Sequence, residues 1–260
     1  MSASPGDIPR RELLGVPFAL TDYAEAVTAI DGMIERRERG YVCALAVHAV
    51  MTSRTDPELA AALRAATLCV PDGRPLVWAL NALGERLTDR VYGPELMARS
   101  CRRAAEAGHR VWLYGGSGES AVEALERSLR ARYPGIDIAG RHARPRLPLS
   151  ADEAREVAER IDGAAADVVF VGLGAPTQEK WMAHMRPRLE APVLIGVGAA
   201  FDFLAGLKKQ APDWMQRRGL EWLFRLSQEP VRLLPRYARH NPAFVAAFAR
   251  QYVREHGRRR

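Results

Sequence analysis

The chain has 260 residues, 48% hydrophobic and 27% charged, which suits a globular protein with a real core and excludes a disordered or low-complexity chain. Its formal net charge of +7 is unevenly placed: residues 217–260 hold eleven arginines, no lysine and three acids, so the rest of the chain is close to neutral. Cys43, Cys69 and Cys101 form no CxxC pair and sit in apolar segments, which argues for buried reduced thiols over catalytic ones and suits a reducing compartment.

The opening segment MSASPGDIPRRELLG lacks the long apolar core of a signal peptide, and no run approaches the roughly 18 apolar residues of a spanning helix. The expectation is a cytoplasmic protein, or one lying peripherally on a membrane. YVCALAV (41–47) reads as a strand, followed by a helix over DPELAAALRAA from Asp56. TLCV leads into the turn PDG, and PLVWALNAL is again helical. RVWLY (110–114) is a strand that ends in GGSGES and opens into the helix SAVEALERSLRARY. IDIAG is a short strand, and LSADEAREVAERIDG carries a helix capped by Ser150 or Asp152. DVVFVGLG and PVLIGVGAAF are continuous apolar runs of strand length, the pattern of strands covered on both faces. Strands alternating with helices in this way predict an α/β fold with a mostly parallel sheet and helices on both faces.

After residues 206–212 the character changes. The remainder is helix-rich, is punctuated by Pro230, Pro235 and Pro242, and interleaves Arg with Trp214, Trp222, Phe224, Tyr237, Phe244 and Tyr252. This predicts a core over 1–208 and an Arg-rich appendage of short helices over 209–260. Such an appendage is suited to an anionic membrane surface, or equally to packing with a solvated basic face.

Ligands in open α/β sheets bind beyond the carboxyl ends of the strands, which is where Asp72, Gly115–Gly116, Gly172–Gln178 and Gly196–Asp202 fall. Asp72 in VPDG can be a simple turn residue, because Asp and Gly favour turns on local grounds, or a carboxylate placed to take a proton. YGGSGES resembles a phosphate loop but fits neither the dinucleotide fingerprint nor a Walker loop. In VGLGAPTQEKWM, Gln178 and Glu179 can read hydroxyls or an amide of a ligand, or can serve the start of a helix. Asp202 is an acid inside an apolar run and needs a partner from the chain or from a ligand. No Asp-x-Asp pair, HExxH or GxSxG is present, and the six histidines are scattered. No metal site or cofactor is therefore expected.

DPELAAALRAATLCVPDGRPLVWA, RVYGPELM, VGLGAPTQEKWM, GVGAAFDFLAG and QAPDWMQRRGLEWLFRLSQEPVRL occur in the order found in the WecG/TagA/CpsF family of bacterial glycosyltransferases, and the resemblance spans roughly residues 11–245. It implies a Rossmann-like core and an inverting, metal-independent transferase. Such an enzyme moves a sugar, often N-acetylmannosamine, from a UDP-sugar to a polyprenyl-diphosphate-linked acceptor at the inner face of the membrane. By resemblance Asp72 is the general base and Arg90 an active-site arginine. Gln178 and Asp202 fall on the donor side; Gly115, Gly174 and Glu179, at the strand ends, are further substrate-binding candidates read from the residues themselves. Arg225, Arg232 and Arg236 complete the site over the diphosphates. Where many members carry Thr and Asn at the end of the first core strand, this chain has Ala44, Leu45 and Ala46, and His48 is the polar residue there. The expected partners are thus the UDP-sugar, the lipid-linked acceptor and an anionic membrane. Nucleic acid is not expected, and a homo-oligomer is compatible with the tail. Two other classes compete: a nucleotide-cofactor oxidoreductase, for which no convincing fingerprint exists, and a non-enzymatic module binding an anionic surface. A family member that binds nucleotide-sugar without turnover is a third reading.

Overall fold

The computed structural model describes residues 4–143 and 147–257. Strands β1 (Arg10–Leu13) and β2 (Val16–Ala19) form a hairpin, and helix α1 (Tyr23–Glu35) leads into β3 (Gly40–Leu45). Two helices, α2 (Val47–Ser53) and α3 (Pro57–Ala65), join β3 to β4 (Leu68–Pro71). Then come α4 (Arg74–Ala82), α5 (Gly93–Ala107), β5 (Arg110–Gly115), α6 (Glu119–Arg132) and β6 (Asp137–Ala143). The alternation continues with α7 (Ala151–Gly163), β7 (Val168–Gly172), α8 (Thr177–Met185), β8 (Val193–Gly196) and α9 (Ala200–Leu204). The tail holds α10 (Asp213–Arg217), α11 (Glu221–Gln228) and α12 (Pro230–Gly257).

Local chemistry starts these helices where the sequence indicates. Asp56 accepts the Leu59 N–H with Pro57 in the first turn, and Ser150 forms a reciprocal capping box with Glu153. The hairpin, α1, α2 and α5 are additions to the expected pattern. In β1 only Leu13 is buried, so no apolar run marks that strand. α2 follows the apolar strand β3 so closely that the two read as one segment.

The eight strands lie in the order β1-β2-β4-β3-β8-β7-β5-β6, parallel except for the β1–β2 hairpin. One apolar layer packs α2, α3, α4, α7 and α8 on the sheet through side chains such as Val50, Leu63, Leu80, Ile161 and Met182. The other packs α1, α5, α6 and α9 through Ile30, Met97, Leu125 and Phe201. The two central strands therefore send their chains to opposite faces: β3 continues into α2 on one side, and β8 into α9 on the other. That divergence opens a crevice above their carboxyl ends, the place where such sheets bind ligands.

The tail differs from the expected short helices. α12 runs unbroken for 28 residues with Pro235 and Pro242 inside it. Both prolines are exposed, and so are Val231 and Ala238, whose carbonyls lose their helical partners, so water can serve those oxygens. The far half of α12 returns to the body: Phe244 and Ala247 are buried, and Phe244 joins the apolar layer of α2 and α8. The Gln251 amide accepts the Leu14 N–H at 2.8 Å and donates to the Glu12 carbonyl at 3.1 Å. Arg11 pairs with Glu255. Among the described residues no helix is long and apolar enough to cross a membrane.

Candidate active site

The crevice holds a cavity of about 260 Å³. Its floor comes from the ends of four strands: Ala44 at the end of β3 and Ala46 just after it, Asp72 after β4, Gly174 and Ala175 after β7, and Val197 to Ala200 after β8. Its roof comes from the tail, through Arg225, Arg232, Arg236 and Tyr237. Of the residues singled out in the sequence, the cavity brings together His48, Asp72, Gly174, Gln178, Arg225, Arg232 and Arg236.

Asp72 follows the last residue of β4, and the backbone N–H of Gly93, the first residue of α5, acts on its carboxyl. Burial lifts this carboxyl to about 6; Arg90, Arg225 and the Gly93 N–H oppose the rise, and Glu221 adds to it. A carboxylic acid in that range is ionised at neutral pH yet basic enough to accept a proton.

Arg90 stands behind Asp72 and does not line the cavity. It is buried, and its Nη2 lies 2.5 Å from Glu221 Oε2 and 3.1 Å from Gln216 Oε1, while its guanidinium sits 4.2 Å above the Tyr92 ring. Glu221, which pairs with Arg90 and acts on Asp72, is not among the residues singled out in the sequence. The available signal is its place in the tail: an acid four residues before Arg225 in a segment otherwise dominated by arginine and aromatics.

His48 is the second residue of α2. Burial lowers its pKa to about 3, helped by Arg236, His240, Arg225 and Arg232, so its imidazole is neutral throughout the physiological range. Arg225 and Arg236 have no carboxylate within ion-pair distance among the described residues, whereas Arg232 pairs with Glu229. Glu229 is also 3.0 Å from Lys208 Nζ, and Lys208 in turn reaches Asp202 at 2.9 Å.

Gln178 is buried, and its amide makes three hydrogen bonds within the chain. Its Oε1 accepts the N–H groups of Gly174 at 3.2 Å and Gly198 at 2.9 Å, and its Nε2 donates to Glu179 at 2.9 Å. It therefore ties the loop after β7 to the loop after β8. Glu179 is wholly buried behind it, off the cavity wall, and burial raises its carboxyl to about 7 against the Gln178 hydrogen bond. Gly115 and Asp202 are also off this wall. Gly115 packs so closely on β7 that a side chain there would meet the Gly172 backbone at 2.9 Å, and its φ is +108°. Asp202 lies beside Ser117, 3.5 Å away, on the β5 side of the crevice.

The cavity thus joins one basic carboxylate, a neutral imidazole, several helix N-termini and two unneutralised guanidinium groups. That set suits transfer to a hydroxyl with an anionic leaving group. No group of three or more metal-ligating side chains occurs among the described residues.

The family model described as "Glycosyl transferase WecG/TagA/CpsF family" matches residues 11–258. An N-acetylglucosaminyldiphosphoundecaprenol N-acetyl-beta-D-mannosaminyltransferase of Bacillus spizizenii is 33% identical over 177 residues, 68% of this chain and 66% of the relative. A Staphylococcus aureus protein of the same name is 31% identical over 217 residues, 82% of this chain and 83% of the relative. A sheet with a crevice at its centre, a carboxylate and arginines meeting above it, and a match over nearly the whole length agree: the chain belongs to the WecG/TagA/CpsF family of glycosyl transferases.

Proposed function

We propose that this chain transfers an N-acetylmannosamine-like sugar from a UDP-sugar to a polyprenyl-diphosphate-linked N-acetylglucosamine, with inversion and without a metal ion. The observation that carries this reading is the meeting of Asp72, its carboxyl near 6, with Arg225 and Arg236 across one cavity. The relatives' names supply the acceptor class and the sugar.

In this reading Asp72 takes the proton of the acceptor hydroxyl as that oxygen bonds to the anomeric carbon. The bond from that carbon to the UDP oxygen breaks on the opposite face, and the electron pair leaves with UDP. Arg225, Arg232 and Arg236 compensate the charge that grows on the departing diphosphate, aided by the N-terminus of α2. Neutral His48 offers a hydrogen bond where the neighbouring Ala44 and Ala46 offer none. Gly174 leaves room for the donor, Gln178 with Glu179 behind it holds the two loops, and Gly115 and Asp202 bound the nucleotide side. Arg90 positions Asp72 and links it to the tail. The basic, aromatic tail is the part that meets an anionic membrane: Trp214 and Trp222 are 50% and 44% exposed.

The test is incubation with UDP-N-acetylmannosamine and an alkyl-diphospho-N-acetylglucosamine in the presence of EDTA, following UDP release and product mass. A β-linked disaccharide lipid formed in step with UDP supports the reading. UDP binding without product from any UDP-sugar would leave a nucleotide-sugar binder in place of a transferase.

A further inference from the structure

The acids and arginines of the tail are spaced to pair with one another. Glu221 stands four residues before Arg225 on α11, and Glu229 stands three before Arg232 where α11 gives way to α12. On an isolated helix such spacings form ion pairs, and an acid on the N-terminal side is the better arrangement. A tail holding its charges in that way offers an anion little, because each guanidinium is already neutralised.

Docked on the body, both acids meet a second cation. Glu221 gives its carboxylate to Arg90 at 2.5 Å. Arg225 is left without a carboxylate partner among the described residues, its guanidinium 5.9 Å from the centre of the Phe203 ring. Glu229 is divided: Oε2 meets Arg232, and Oε1 lies 3.0 Å from Lys208 Nζ. Burial opposes its charge, yet Arg232 and Lys208 together hold its carboxyl below the usual range, so it is ionised and shared. Lys208 is itself fixed in place. The N–H groups of Leu207 and Lys208 both donate to the Asp202 carbonyl, at 2.9 and 3.1 Å, and Lys208 Nζ meets Asp202 Oδ2 at 2.9 Å. The result is a row of alternating charge, Asp202, Lys208, Glu229 and Arg232, of which only the last, positive member lines the cavity.

We infer that Lys208 is a positioning residue for the anion: by sharing Glu229 from the body side, it leaves Arg232 with positive charge to present to the cavity. Arg90 does the same for Arg225 by taking Glu221. The tail's arginines thus become an anion site through an exchange of ion-pair partners as the tail docks. A carboxylate divided between two cations fully neutralises neither. A diphosphate can therefore replace Glu229 at Arg232 while Lys208 keeps Glu229 paired, so no carboxylate is left uncompensated. The identity of the anion as the diphosphate of a nucleotide rests on the transferase reading above, which this deepens.

The experiment is calorimetric binding of two probes, UDP and inorganic pyrophosphate, to the wild type, Lys208→Met, Glu229→Gln and the double variant. Lys208→Met should bind both probes at least about fivefold more weakly, because Glu229 then rests on Arg232 alone. Glu229→Gln should bind them at least as tightly as the wild type, and the double variant should return to within about twofold of it. A bridge that merely straps the tail to the body gives the opposite pattern: both single variants lose affinity, and the double variant recovers none. That pattern, unchanged affinity in Lys208→Met, or a wild type that binds neither probe would overturn the role of Lys208. The UDP-sugar reading fails separately: pyrophosphate would follow the expected pattern across the variants while the wild type failed to bind UDP.

Discussion

Arg90 of the body and Glu221 of the tail form a buried ion pair, Nη2 to Oε2 at 2.5 Å, whose two charges act in opposite directions on Asp72. Breaking a buried pair leaves an uncompensated charge and typically costs about 3–5 kcal/mol, so Glu221→Ala should lower the denaturation midpoint sharply. The milder Glu221→Gln also removes the negative charge that raises Asp72 and frees Arg90 to act on it. The acid limb of kcat/KM should then move below its wild-type position near pH 6. An unmoved limb in a folded Glu221→Gln protein would mean that Glu221 does not act on the base.

Asp72→Asn should lose about 10²–10⁴ in rate, the typical worth of a general base. It should also change stability in a pH-dependent way. The folded-state carboxyl, at about 6, lies above its ordinary value of 3.8, so the fold favours the neutral form. That favourable contribution is complete below pH 4 and is lost as the pH rises through 6. At pH 7.5 the Asn variant should therefore be more stable than wild type by on the order of 1–3 kcal/mol, and near pH 4 the gain should vanish. Urea unfolding at the two pH values checks it; equal stability at both would contradict the burial of the charge.

Lys208 bridges Asp202 on α9 to Glu229 at the junction of α11 and α12, and Glu229 holds Arg232. With Arg90–Glu221 at the other end, α11 is strapped to the body at both termini. Partly exposed pairs of this kind contribute up to about 1 kcal/mol each, so Lys208→Ala should raise the donor KM by about 5- to 30-fold. Lys208→Arg should recover part of that loss. Steady-state kinetics with varied donor decides; an unchanged KM would show that the tail is held without this bridge.

His48, held near 3, should show no titration between pH 5 and 8 in its imidazole NMR signals. Replacing Arg236, the largest charged contributor to that depression, by Gln should raise its pKa. His48→Ala should weaken kcat/KM without moving the acid limb, because Asp72 sets it. A limb displaced in the His48 variant would assign the proton transfer differently.

The sequence exposed the central sheet well, since β3, β4, β7 and β8 are buried on both faces and so appear as continuous apolar runs. It showed the residues at their carboxyl ends for the same reason. It did not show β1, whose side chains are mostly exposed, nor the continuity of α12, since proline is a local signal and tertiary packing of Phe244 and Gln251 overrode it. Nor did it show how functional side chains are partnered. Gln178 ties the loops after β7 and β8 through its side-chain oxygen, Glu179 lies behind it, and Glu221 faces a residue 131 positions away. Such pairings exist only once the tail has folded back.

That fold-back also sets an order of events during synthesis. The carboxylate of Asp72 leaves the ribosome long before Arg225, Arg232 and Arg236, and the last turns of α12 that lock onto Leu14 and Glu12 leave later still. A nascent body can assemble its sheet and its base while the cavity has no roof. In the folded chain Asp72 and the tail's arginines line one cavity, and the far end of α12 is held to the first hairpin, so two parts of the chain far apart in synthesis form one wall.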